Sequence, residues 1–110
     1  MTVRIAIRDP ETKRKRRVPV DALVESTHFA VHVPHPLDVY WGKYVITHKD
    51  TGIATLMNVR TLARARTALK LLEDAGDDWS FTSFSKVKDT EQWGRCRQAA
   101  RAAQQKVDPQ

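Results

Sequence analysis

The sequence predicts an α+β fold: an antiparallel sheet of four to six strands with two helices packed on one face. Three observations carry that expectation. Several short runs in the first sixty residues alternate apolar and polar side chains, the period of a half-buried strand. The links between these runs are short, which favours antiparallel neighbours. Two later segments place apolar residues at steps of three and four, the period of an amphipathic helix.

Val3, Ile5 and Ile7 alternate with Arg4, Ala6 and Arg8 and predict the first strand. Asp9-Pro10-Glu11-Thr12 predicts a turn, because proline fixes φ and aspartate bonds its own backbone. Val18, Val20, Ala22 and Val24 predict a second strand, which Pro19 confines to an edge or an end. Phe29, Val31 and Val33 alternate with His28, Ala30 and His32 until Pro34 and Pro36, neither of which can donate to a ladder. Residues 35–42 read as a loop carrying Tyr40 and Trp41.

Residues 43–57 predict a hairpin, with Gly52 supplying the left-handed backbone that closes a turn with a bulge. Thr61 is a good N-cap, and Gly76 suits the position after a helix C-terminus. Between them Leu62, Ala65, Leu69 and Leu72 form one apolar face, expected to pack on Ile5, Phe29, Val31 and Ile46. Asp77-Asp78 reads as a turn, after which Trp79 and Phe81 are expected to open a short strand. Asp89 is the expected cap of the last helix, with Gln92 as its capping-box partner. Trp93, Cys96, Ala100 and Ala103 share a face of that helix, and Gly94 weakens its first turn by about 1 kcal/mol relative to alanine. Residues 1–105 are expected to form one compact domain, with 106–110 a frayed C-terminal tail.

The net charge of +6 and pI near 9.8 favour polyanionic partners, meaning nucleic acid or an acidic protein surface. The charge is uneven: residues 1–20 hold seven Lys/Arg against two acids, whereas residues 21–57 are net −2. Cys96 is the sole cysteine, so no internal disulfide can form and a reducing, cytoplasmic setting is expected. No run approaches the roughly 18 apolar residues that span a bilayer, so no membrane role is expected.

Lys13, Arg14, Lys15, Arg16 and Arg17 are five consecutive cations, expected at a hairpin tip, where each can neutralise a phosphate. On the first helix Arg60 and Arg64, and again Arg66 and Lys70, lie about 40° apart on the half away from the leucines. Arg97 and Arg101 repeat that i, i+4 spacing on the last helix. Tyr40, Trp41 and Tyr44, beside Lys43, can stack unpaired bases, anchor a protein interface or complete the core.

Other combinations point to no chemistry. His28 and His32 are roughly 13 Å apart on a strand and cannot share an ion. With one cysteine and no acid at ligand spacing, His28, His32, His35 and His48 read as polar-face histidines, and no metal or cofactor is expected. Cys96 lies on an apolar helix face and reads as a buried structural thiol. Glu73-Asp74 and Asp77-Asp78 read as a solvated acidic corner. With no catalytic residues assigned, the expected function is a small, non-enzymatic nucleic-acid-binding protein, for DNA or RNA, that uses the basic tip and the helix arginines. The alternative is a protein–protein interaction module, such as a phage or mobile-element inhibitor docking on an acidic or nucleic-acid-binding protein. One positive face joining Arg14, Arg64 and Arg97 favours the first; scattered cations with an exposed Trp41–Tyr44 patch favour the second.

Overall fold

A computed structural model of the chain describes residues 2–8, 11–36 and 43–107. Asp9, Pro10, Tyr40 and Trp41 lie outside the described residues. The fold is α+β, and its strands divide between two antiparallel sheets. β1 (Thr2–Arg8) and β2 (Lys15–Asp21) form a two-stranded ribbon, in register from Thr2 opposite Asp21 to Arg8 opposite Lys15. β3 (Val24–Glu25), β4 (Phe29–His32), β5 (Tyr44–His48) and β6 (Ala54–Val59) form a four-stranded sheet in chain order. The second strand expected from residues 18–24 is therefore two strands, one for each sheet. The break follows Asp21, and Leu23 donates its N–H to the carbonyl of Val31 at 2.7 Å to begin the second sheet.

The four-stranded sheet is a middle layer. Its residues alternate between faces, so Phe29, Val31, Ile46 and Leu56 point one way and Ala30 the other. The first set packs with α1 (Leu62–Glu73) and α3 (Glu91–Val107). Ala30 packs instead with Val3, Ile5, Ile7 and Val18 of the ribbon. Helices cover one face and the ribbon covers the other. Ile5 thus belongs to a second core, not to the leucine face of α1 with which it was expected to pack. The periodicity of Val3, Ile5 and Ile7 identifies a buried side but not which element buries it.

α1 follows its expected face closely. Thr61 Oγ1 accepts from the Arg64 N–H at 3.1 Å, and Ala65, Ala68, Leu69 and Leu72 are buried. After it the chain makes a 3-10 turn (Gly76–Trp79) and a single-turn helix, α2 (Phe84–Val87), instead of the expected short strand. Trp79 explains the difference. Its indole N–H donates to the Leu72 carbonyl at 2.6 Å and its ring meets Phe29 edge-on at 4.6 Å, which draws the segment under α1 and away from any sheet edge.

α3 is capped by Thr90, not Asp89: the Trp93 N–H donates to Thr90 Oγ1 at 3.3 Å. Gln92 is consequently free of the capping box and donates to the Asp78 carbonyl at 2.7 Å. α3 also runs two residues into the stretch expected to fray, because Val107 is buried in the helix-side core.

Candidate functional site

The ribbon is where the sequence concentrates charge, and strand alternation decides where that charge points. Val3, Ile5, Ile7 and Val18 face the middle sheet, so Arg4, Ala6, Arg8, Lys15, Arg17 and Pro19 face outward, and all six are exposed. The expected basic tip is a correction: Lys15, Arg16 and Arg17 are inside β2, and only Lys13 and Arg14 lie in the connection. Pleating also splits the run. Lys15 and Arg17 point outward, while Arg16 stands on the side of its partner Ile7. In exchange, Arg4 and Arg8 join the outward face. The period of two that located Ile5 and Ile7 was enough to find both.

Arg17 fastens this ribbon down. Its guanidinium crosses the small Ala6 and donates to the carbonyls of Arg4 at 3.0 Å and Lys49 at 2.9 Å. Beside it the Ala6 N–H donates to the Gly52 carbonyl at 2.7 Å. Gly52 has φ +75°, and a Cβ there would stand 2.9 Å from the Ala6 nitrogen and 3.0 Å from the Arg4 oxygen. The β5–β6 turn therefore needs glycine twice over, for its backbone conformation and for the close approach of β1.

The cations of the helices stand across the middle sheet from the ribbon. Arg60, Arg66 and Lys70 are exposed on or beside α1, and Arg64 donates to the Val107 carbonyl at 3.3 Å, closing the C-terminus of α3. Arg14 and Arg97 thus lie on separate layers, and the cations do not form the single face that would join them with Arg64. Tyr44 is half-buried and packs against the helix-side core.

His32 and His48 do not lie on a polar face. His32 is fully buried, with Nε2 2.7 Å from Thr47 Oγ1 and Nδ1 2.8 Å from the Val33 carbonyl. His48 lies among aromatics on the helix side. Its Nε2–H donates to the Trp79 carbonyl at 2.7 Å, leaving Nδ1 to accept from Thr51 Oγ1 at 2.9 Å. Burial lowers its pKa below the ordinary 6.5, opposed in part by the Trp79 carbonyl. Among the described residues no group of three His, Cys, Asp or Glu side chains is placed to hold a metal ion.

The acidic corner is half bonded. Glu73 accepts from Ser26 Oγ at 2.9 Å and the His28 N–H at 2.8 Å, with His28 Nδ1 2.9 Å from its second oxygen. Asp78 takes a two-point contact from Arg95, at 2.8 and 2.9 Å, which holds its carboxyl below the usual range. Cys96 is buried, donates to the Asp78 carbonyl at 3.3 Å, and has its pKa pushed up to about 11 by desolvation, so the thiol stays protonated at neutral pH.

A groove of about 330 Å³ opens on the helix side between the start of β6 and α3. Trp79, Phe81, Phe84 and Trp93 form its aromatic floor, and Arg97 and Arg101 line its helical wall. The rings hold one another: Phe81 stacks on His48 at 4.5 Å, and Phe84 meets Trp93 edge-on at 4.9 Å. Sequence periodicity does not find this groove, because Phe81 lies in an irregular link and Phe84 opens the single-turn α2, and the path of both depends on where Trp79 docks. Comparison with known proteins finds no matching family model, no matching curated protein and no matching solved structure.

Proposed function

We propose that this chain is a non-enzymatic nucleic-acid-binding protein that lays the outward face of the β1–β2 ribbon against a phosphate backbone. The observation that carries the reading is the alignment of Arg4, Arg8 and Lys15 on one exposed face, with Lys13 and Arg14 at the connecting end. Among the described outward strand positions the sole acid is Asp21, at the far end of the ribbon, and Glu11 is exposed in the connection with Lys13 and Arg14. A two-stranded ribbon is one of the elements that the major groove of duplex DNA admits. Arg17 and the Gly52 contact hold the ribbon to the β5–β6 turn, so its cations are displayed on a fixed support. Cys96, the sole cysteine, is a free thiol with no internal disulfide partner, which suits a reducing cytoplasm.

Fluorescence anisotropy tests the reading directly. Random duplex or single-stranded oligonucleotide at about 50 mM salt should bind with a Kd below roughly 10⁻⁴ M. Joint replacement Arg4→Gln, Arg8→Gln and Lys15→Gln should flatten the log–log salt dependence on duplex by up to about 2.7, at roughly 0.9 per lost phosphate contact. These side chains are exposed, so the unfolding midpoint should hardly move. Absence of binding to either oligonucleotide overturns the reading.

A further inference from the structure

We propose that the groove between β6 and α3 is a docking site for an extended acidic peptide segment of a protein partner. The segment carries one bulky aromatic or aliphatic anchor. This surface is independent of the ribbon, from which the middle sheet separates it.

The floor selects the anchor. Phe81, Phe84 and Trp93, backed by the buried Trp79, present apolar surface already held in place by ring contacts, so little order is lost when a side chain enters. Ile53, 39% exposed, extends that surface to the lip. A nucleobase fits less well. The hydrogen-bonding capacity of His48, of the Trp79 carbonyl and of the Thr51 hydroxyl is already engaged, which leaves the Thr55 hydroxyl, together with Arg97 and Arg101, as the polar groups at hand.

The wall selects the charge. Arg97 and Arg101 line the groove, and among the described residues no acid lines it. Arg95, by contrast, is occupied by Asp78. Arg97 and Arg101 are one turn apart, with Cβ atoms about 5–6 Å from each other. Carboxylates two residues apart on an extended strand are about 6.6 Å apart, so an acid–x–acid pair meets both. Such a strand also has somewhere to lie. β6 is the outer strand of its sheet, and among the described residues nothing pairs with its far edge. Backbone pairing along an edge, with a pocket for alternate side chains, is a recurrent mode of peptide capture.

The test uses labelled peptides containing Trp-Ser-Asp-Ser-Asp or its reverse, so that either chain direction is sampled. Anisotropy should show one of them binding, and replacing its Trp by Ser should weaken it at least about 30-fold, as expected for a buried anchor. The double variant Arg97→Glu, Arg101→Glu should weaken the acidic peptide about tenfold and bind the matching Lys-for-Asp peptide better than the parent protein does. That reversal separates a direct contact from a damaged fold. Failure of both peptides, or binding indifferent to the charge reversal, overturns the proposal. So does oligothymidylate competing for the same groove, which would make the ligand a base. Absence of oligonucleotide binding at the ribbon leaves the peptide result unaffected.

Discussion

The middle sheet is covered by helices on one face and by a ribbon on the other, and the two covers are held by different forces. On the helix side large rings interlock: Phe29, Trp79, Phe81 and Trp93 meet one another around His48. On the ribbon side Val3, Ile5, Ile7 and Val18 rest on Ala30, a much thinner apolar layer. Directional contacts supplement it, from Arg17 to the Lys49 carbonyl and from the Ala6 N–H to Gly52. Each cover therefore leaves a different surface outside. The thin one exposes cations from both strands, and the thick one exposes the rim of its own aromatic core.

The sharpest break in this comparison is on the helix side. Trp79 is 1% exposed and touches α1, β4 and His48. Trp79→Ala should cost about 3–5 kcal/mol in denaturant unfolding, the range for an aromatic removed from a core. It should also open the groove, since the ring forms part of the floor. A midpoint unchanged by this substitution would mean that the aromatic cluster is not the main core.

The ribbon should break at Gly52. Gly52→Ala places a side chain at φ +75° and against the backbone of β1. A cost of about 2–3 kcal/mol is expected from the left-handed strain and the forced separation. The loss should be local. Amide exchange should accelerate across β1 and β2 while α1 and α3 keep their protection. Uniform acceleration would show instead that the two covers unfold as one unit.

How far these differences were legible in the sequence follows from the range of each interaction. The Thr61 cap, the Gly52 turn and the leucine face of α1 depend on neighbours within a few residues, and all three are where local pattern puts them. The assignment of Ile5 to a second core depends on which layer the ribbon covers, and alternation within one strand is silent on that. Burial of His32 and His48 was missed for the same reason: each sits on a sheet face whose cover comes from elsewhere in the chain. The ribbon cations were half legible. A run of five reads as one patch along the chain, but the pleat sends its members to two sides.

His48 offers a gentler probe of the helix side through pH. Its folded-state pKa lies below 6.5, so the unfolded chain binds a proton more readily than the folded one. The stabilisation from burying it neutral is complete above about 6.5 and is lost as pH falls from there toward the lowered native value. The slope cannot exceed about 1.4 kcal/mol per pH unit for one group. His48→Gln should remove that component. Unfolding midpoints of the two proteins between about pH 7.5 and 5 should therefore converge on acidification. Parallel profiles would place the acid sensitivity on another group.

The smallest expected effect isolates what makes Gly52 special. Gly94 is also a glycine, but it lies in the first turn of α3, exposed, with nothing within 4 Å of where a Cβ would be. It makes no close approach, and its backbone is helical. Alanine there removes conformations from the unfolded chain and costs nothing in the folded one. Gly94→Ala should raise stability by about 0.5–1 kcal/mol, read as a higher urea midpoint with an unchanged slope. One chemical change, glycine to alanine, should thus loosen the ribbon and firm the helix. If both substitutions destabilised the protein, space at α3 would be tighter than its exposed first turn implies, and the contrast between the two covers would have to rest on Trp79 alone.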